Sequence, residues 1–540
     1  MAILEIRNVT FTYPNRTRPA LENISLSLDR GDFAVLCGPT GSGKTTLMKL
    51  LKREIRPLGE LSGEILYDGQ PLDTLNDAVS AFKIGYVCQN TDQQIVTDKV
   101  WHELAFGLEN LGVESREIRR RVAEMAAFFG IERWFDKRIS ELSGGQKQLL
   151  NLASVMVMQP DILLLDEPTA QLDPIAAGEF IATVAKLNND LGVSVILIEH
   201  RLEEALPISR KVIAFKEGRL YAFEETRACC ERMRVDAEFK PYLPAAVRLY
   251  SRFSDAGACP LTVNEGRSYI ERTFDNAVDA LHETARPAGG NPALEFKNVW
   301  FRYARKLDDV LRGLSFTLYE NEILCLLGGN GSGKSTLLNC AARVLQPYAG
   351  EIRVFGKRVK DYKNQSLYRE CLALMPQDAQ TVFLRNSVRE ELDGVDLKEL
   401  PFDLSELMDM HPYDLSGGQQ QLVALAKVLS LKPKVLMLDE PTKGLDANTK
   451  NGFIDIMRAL KQGGTSILIV THDVEFACRV ADRCALCFLG EICGEDETNR
   501  FFSQNSFYTT AVSRMTRGRY KNLVSVDDAE KLLRLNGRKA

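Results

Sequence analysis

The stretch Gly38-Pro39-Thr40-Gly41-Ser42-Gly43-Lys44-Thr45 recurs as Gly328-Gly329-Asn330-Gly331-Ser332-Gly333-Lys334-Ser335. Each copy follows an apolar run, Phe33 to Cys37 and Ile323 to Leu327. Each precedes a helix-compatible segment, opening at Thr46 and Thr336. Strand, glycine-rich loop and helix in that order are what a phosphate-binding loop requires. Glycine admits backbone conformations closed to other residues and leaves room for a phosphate. Successive backbone N–H groups and the helix N-terminus then face the anion. In such a loop Lys44 and Lys334 reach the β- and γ-phosphates, and Thr45 and Ser335 hold Mg²⁺.

The repeat extends well beyond these loops. Tyr13 and Tyr303, inside matching Asn-Val-x-Phe-x-Tyr segments, lie 290 residues apart, as do Lys44 and Lys334. Strands ending in Gln89 and Gln377 follow. Then come Leu142-Ser143-Gly144-Gly145-Gln146 and Leu415-Ser416-Gly417-Gly418-Gln419. Apolar strands ending in Asp166-Glu167-Pro168-Thr169 and Asp439-Glu440-Pro441-Thr442 come next, then Asp173 and Asp446, then His200 and His472. Strands alternating with helices predict a mainly parallel α/β sheet in each half. The offset falls from 288 at Gln89/Gln377 to 273 at Ser143/Ser416, so about fifteen residues are missing from the second copy between those points.

A chain of 540 residues exceeds a single core. The boundaries read 1–235 for the first domain, 236–291 for a proline-punctuated structured linker ending in a flexible joint near Pro287 and Gly289-Gly290, 292–512 for the second domain and 513–540 for a tail. In the tail Ser525 caps a short helix through Leu533. That helix reads as solvated in preference to a membrane or partner contact. The net charge of −5 excludes nucleic-acid binding by bulk positive charge. No apolar run reaches the roughly 18 residues of a membrane span. The N-terminus lacks a signal-peptide pattern, so a cytosolic setting is expected. The twelve cysteines then read as thiols, and Cys484-Ala-Leu-Cys487 as core packing and not a metal site.

Phosphate loop, Leu-Ser-Gly-Gly-Gln and Asp-Glu-Pro-Thr, in this order and twice over, resemble the ATP-binding-cassette ATPases across nearly all of both halves. A narrower resemblance is to the ATPases of energy-coupling-factor importers, which take up vitamins and transition-metal ions. It rests on Gln89-Asn-Thr-Asp-Gln-Gln94 and Val100-Trp-His-Glu-Leu-Ala-Phe-Gly-Leu-Glu-Asn110. Glu199-His200-Arg201, Pro260 to Gly266 and Phe507 to Thr510 add to it, as features of fused two-cassette members. The resemblance implies two tandem domains, each with a mainly parallel sheet core, an antiparallel β portion and a helical subdomain. The implied activity is ATP hydrolysis with ATP and Mg²⁺ as cofactors, coupled to transport. Integral membrane subunits and a separate substrate-binding membrane protein are the implied partners, at the cytoplasmic face of the membrane. A soluble two-cassette ATPase acting on ribosomes or DNA is the alternative. It is disfavoured by the linker's mixed charge and by the lack of inserted zinc-binding cysteine pairs.

The site residues follow. Asp166 and Asp439, at apolar strand ends, place carboxylates near Mg²⁺, joined in the resemblance by Thr45, Ser335, Gln89 and Gln377. Glu167 and Glu440 polarise the attacking water. His200 and His472 resemble the switch histidine that senses the γ-phosphate. Tyr13 and Tyr303 resemble the aromatic that stacks on adenine, or are strand-end aromatics. Ser143, Gly144 and Gly145, with Ser416, Gly417 and Gly418, start helices suited to a γ-phosphate. In the family they face the nucleotide of the other cassette, so that two cassettes of one chain close head to tail, with Asp173 and Asp446 at the seam. With both copies complete, two competent sites are expected. The first Gln-to-Ser arm is the longer, and unequal arms are expected to meet different helices of a membrane partner.

Overall fold

The structure is a computed structural model that describes residues 2–14, 16–253, 257–281, 289–363, 366–369 and 371–539. Pro287, placed above at a flexible joint, lies outside the described residues. The chain divides into two compact units, Met1–Ser251 with Asp255–Thr262, and Arg252–Ser254 with Val263–Ala540.

Each unit carries two sheets with the same strand order. In the first unit, Leu21–Asp29, Ala2–Thr12, Glu60–Tyr67 and Gln70–Pro71 form an antiparallel sheet in that order. The six-stranded sheet runs Arg219–Glu225, Lys211–Lys216, Phe33–Cys37, Ser194–Ile198, Ile162–Asp166, Ile84–Val87. All its pairings are parallel except that of the first two strands. The second unit repeats this with Leu311–Tyr319, Pro292–Phe301, Ala349–Val354 and Lys357–Arg358. Its larger sheet runs Leu372–Met375, Val435–Asp439, Ser466–Thr471, Ile323–Leu327, Arg483–Phe488, Glu491–Glu497.

The central strands Phe33–Cys37, Ile162–Asp166 and Ser194–Ile198 are buried at every residue, as are Ile323–Leu327, Val435–Asp439 and Ser466–Thr471. A parallel strand covered on both faces must be largely apolar, and Ile162–Asp166 and Val435–Asp439 comply until the last residue. There the apolar run stops at Asp166 and Asp439. The site is thereby placed at the carboxyl ends of the strands, where open α/β sheets bind ligands.

The two arms differ in their helices. The first contains Val100–Asn110, Ser115–Phe129 and Gly144–Met156. The second keeps Gly417–Leu429 but reduces the rest to Val388–Glu391 and short 3₁₀ turns. The 15-residue helix Ser115–Phe129 has no counterpart among the described residues, which locates the deficit counted in the sequence. Phe129 and Trp134 are buried in the first arm's own core, whereas Trp101 stays exposed.

The C-terminal tail departs from expectation. Ser525 does cap the helix Val526–Asn536, accepting from the Asp528 N–H, but the helix is not a solvated one. Its stripe of Val526, Ala529, Leu532 and Leu533 is buried, as an apolar face at helical spacing must be. Asn536 locks it by exchanging hydrogen bonds of 2.7 and 2.8 Å with the backbone of Val278. The cysteine pair behaves as core. Cys484 is buried in one hydrophobic cluster and Cys487 in the other.

Candidate active site

The two phosphate loops are nearly superimposable in their demands. Gly38 has φ +145° and Gly328 φ +159°. A Cβ on Gly38 would stand 2.2 Å from the Phe215 carbonyl oxygen, and one on Gly328 2.3 Å from that of Cys487. Only glycine fits there. Gly43 and Gly333, both left-handed, begin the helices Lys44–Leu50 and Lys334–Ala341, and neither helix start is capped by a side chain. Lys44 Nζ donates to the carbonyls of Gly38 and Pro39 at 2.8 and 2.9 Å. Lys334 does the same to Gly328 and Gly329, both at 2.9 Å. The ammonium is thus strung across the cradle formed by residues 38–43 or 328–333. Ser42 Oγ and Ser332 Oγ are buried there without a hydrogen-bond partner among the described residues. An open helix start, a spanning ammonium and a spare hydroxyl suit a polyphosphate.

Thr46 and Thr336 follow the loops and hold the aromatics. Tyr13 OH lies 3.0 Å from Thr46 Oγ1, and Tyr303 OH 3.0 Å from Thr336 Oγ1. Tyr303 is 60 % exposed, so its ring face is free to accept a planar base.

Beyond the loops, the strand-end acids converge. Thr45 Oγ1 lies 3.2 Å from Asp166 Oδ1, to which it donates, and the buried Tyr86 hydroxyl donates to Asp166 Oδ2 at 2.8 Å. Burial pushes the Asp166 carboxyl above its ordinary value, Glu167 adding to the shift and Tyr86 and Thr45 opposing it. Asp439 is raised likewise by burial and by Glu440, against Ser335, Lys334 and Lys443. Its Oδ1 is buried without a hydrogen-bond partner among the described residues. A hydroxyl and a carboxylate beside a phosphate cradle form the hard-oxygen donor set that suits a small divalent cation.

Glu167 and Glu440 take left-handed φ values of 48° and 49°. Such strain in a non-glycine residue persists where surrounding structure enforces it. Their N–H groups remain tied to the next strand, at Ile198 and Val470. In the first unit Glu167 is held at both oxygens, Oε2 accepting from Gln89 Nε2 at 2.7 Å and Oε1 2.8 Å from His200 Nε2. In the second, Glu440 Oε2 accepts from the His472 backbone N–H at 3.2 Å and Oε1 lies 2.9 Å from His472 Nδ1. Gln377 is exposed, and the Glu440 carboxylate contacts found among the described residues are those to His472. Carboxylate and histidine are therefore brought together in both units, and the glutamine joins them in the first.

Ser143 and Ser416 cap the helices Gly144–Met156 and Gly417–Leu429 through reciprocal capping boxes with Gln146 and Gln419. Gly144 and Gly417 are exposed, with Gly145 and Gly418 next to them. Asp173 and Asp446 cap the following long helices, accepting from Ala176 and Thr449 N–H at 3.0 and 2.7 Å.

Tyr86 and Lys443 escaped the sequence reading, and Glu199 entered it only as part of a motif. Tyr86 was visible as the one polar side chain in Ile84–Val87. Glu199, buried, accepts from the Thr169 hydroxyl at 2.7 Å. Lys443 stands where the first copy has Ala170.

The family model described as ABC transporter matches residues 21–170 and 311–443. The chain belongs to the ABC transporter family. It carries two ATP-binding cassettes and is an ATPase of that family. Among its relatives is a protein of Bacillus thuringiensis subsp. konkukian, provisionally named an ABC transporter ATP-binding protein. It is 38% identical over 534 residues, covering 96% of each chain. A Bacillus subtilis relative, YkoD, provisionally named an HMP/thiamine import ATP-binding protein, is 31% identical over 89% of each chain. A solved structure, cbiO1 from Clostridium perfringens, described as part of the ABC transporter complex cbiONQ, is 30% identical. It covers 44% of this chain and 96% of its own, with a TM-score of 0.39. No helix among the described residues is long and apolar enough to cross a membrane. As an ABC ATPase, the chain binds ATP.

Proposed function

We propose that this ABC ATPase powers a membrane importer of energy-coupling-factor type for a vitamin or metal ion, with closure of its cassettes on ATP as the stroke. It would sit at the cytoplasmic face of the membrane, on integral membrane subunits served by a separate substrate-binding membrane protein. Mg²⁺ would be held with ATP by Thr45, Gln89 and Asp166 in one cassette and by Ser335, Gln377 and Asp439 in the other. The cation supplies neutralisation of phosphate charge. Lys44 and Lys334 orient the phosphates, Glu167 and Glu440 polarise the water, and His200 and His472 hold those carboxylates.

One observation carries the coupling to a partner. Seven residues after each catalytic glutamine, a bare apolar side chain stands in solvent, Val96 at 65 % and Leu384 at 82 % exposure. Its backbone is pinned from inside. Buried Glu103 accepts from the N–H groups of Val96 and Thr97, and buried Glu391 from those of Leu384 and Arg385. Glu391 is further paired with Lys427. Burial alone would raise its carboxyl, but Lys427 and the two N–H groups bring it below the ordinary value. Spending a buried carboxylate to present an exposed apolar residue, twice, makes sense for a surface that a partner covers. The naming of YkoD as an import ATPase agrees with this reading.

The test is copurification of the tagged chain expressed with its genomic neighbours. Small hydrophobic membrane proteins are expected, and their loss in the Val96→Asp, Leu384→Asp double variant with ATP binding intact. Single cysteines at positions 96 and 384, after removal of the exposed Cys493, should crosslink to different segments of the partner, because the arms differ. Ribosomes in place of membrane proteins would overturn the proposal.

A further inference from the structure

We infer that Tyr86 is a positioning residue for the cation-facing carboxylate of the first cassette, and that the two ATP sites hold the divalent cation unequally because the second has no such residue. The inference rests on the reading of Asp166 and Asp439 as cation-facing carboxylates.

Strand register produces the contact. Ile84–Val87 pairs in parallel with Ile162–Asp166, with Tyr86 opposite Leu164. Asp166 is two residues further along, hence on the same face and within reach of a long side chain. The Tyr86 hydroxyl bridges that diagonal to Oδ2 at 2.8 Å. Oδ1, the oxygen nearest Thr45 Oγ1, is left facing the phosphate loop. Tyr86 is the donor of this bond and the Asp166 carboxylate its acceptor. One carboxylate oxygen is thus clamped from behind while the other faces the loop, an arrangement that fixes a ligand's orientation.

The second cassette has the same register and a different residue. Leu374 lies opposite Met437, two residues before Asp439. Leucine cannot donate, and Asp439 Oδ1 is buried without a hydrogen-bond partner among the described residues. Lys443, a cation, stands there at the place of Ala170. A cation attracts the carboxylate without fixing its rotation and competes with a divalent ion for it.

Electron paramagnetic titration of Mn²⁺ on the full chain, saturated with a non-hydrolysable ATP analogue, reads this directly. Wild type should show two classes of site. Tyr86→Phe should weaken the tighter class about tenfold, the usual cost of losing a partner behind a metal ligand, with thermal melting in the absence of Mn²⁺ unchanged. Leu374→Tyr should tighten the weaker class. Asp166→Asn and Asp439→Asn serve as controls. If each removes one class while Tyr86→Phe moves neither, the role of Tyr86 is refuted. If neither control removes a class, the reading of the two aspartates falls instead. Two equal classes in wild type would overturn the inequality.

Discussion

Replacing Glu167 by glutamine changes one atom of the side chain and should stop chemistry while sparing binding. In the structure both carboxylate oxygens are acceptors or ion partners, Oε2 for Gln89 at 2.7 Å and Oε1 for His200 at 2.8 Å. A glutamine offers one acceptor and one donor. If its oxygen keeps the Gln89 contact, its amide must face His200; if it turns over, two amides face each other. At most both contacts survive in one orientation, but neither orientation can take a proton from water. A positioned base contributes about 10²–10⁴-fold, so hydrolysis at that site should fall on the order of 100-fold or more, ~2.7 kcal/mol. Lys44 and the loop backbone are untouched, so affinity should hold. Glu440→Gln should behave alike, and the double variant should retain ATP through rapid desalting while releasing almost no phosphate. The assay pairs phosphate release with equilibrium binding of a fluorescent ATP analogue. Full turnover in the double variant, or binding lost in step with rate, would refute the assignment.

The glutamines should not be equivalent. Gln89→Ala removes a hydrogen bond to a charged group and should slow the first site about tenfold, whereas Gln377→Ala, off the Glu440 carboxylate, should do less; site-resolved nucleotide trapping separates the two. Gly38→Ala forces a Cβ to 2.2 Å from a carbonyl oxygen at φ +145°. It should weaken ATP binding by at least about tenfold. Gly41→Ala, left-handed but in open space, should do less by the same titration. Burial raises the Glu199 carboxyl above 4.5, against the lowering by Thr169 and Arg201. The native state therefore holds its proton more tightly than the unfolded chain, and that stability is present below pH 4.5 and lost as pH rises through the folded value. Glu199→Gln, whose oxygen still accepts from Thr169, should raise the melting temperature at about pH 8. The gain should vanish near pH 4.5; a gain independent of pH would contradict this.

What the sequence made legible is what short covalent spacing controls. The loops 38–45 and 328–335 are set by consecutive glycines, and Glu167 follows Asp166 at a strand end by chain connectivity alone. Gln89 and His200 were assigned to the site by motif, but that both would grip Glu167, one at each oxygen, depends on how three strands stack. The Tyr86 to Asp166 bond spans 80 residues and exists only through the register of two strands, which no local pattern states. The arm deficit shows the difference well. Fifteen residues could be counted as missing, but only the structure shows that the helix Ser115–Phe129 has no counterpart among the described residues of the second arm. The tail erred in the opposite direction. A short charged helix at a terminus reads as solvated, yet its four buried apolar residues found a partner surface that includes the segment around Val278.

Comparison of the two cassettes separates backbone from side-chain constraint. Positions where main-chain conformation carries the function barely move: Glu167 and Glu440 differ by 1° in φ, Gly43 and Gly333 also by 1°. Positions around the acids have diverged: Tyr86 against Leu374, Ala170 against Lys443, Glu199 against Thr471. A strained backbone at a catalytic carboxylate has few solutions, so duplication preserves it. A lateral partner has many, since a hydroxyl, an ammonium or an apolar wall can each fill the space at different electrostatic cost. Divergence is therefore concentrated where it tunes each site without dismantling it. The same logic reaches the arms, where the pinning carboxylates Glu103 and Glu391 are both kept while the helix beside them is dispensable. If inequality of the two sites matters to transport, swapping the lateral residues between cassettes should exchange their cation affinities and leave the phosphate loops untouched.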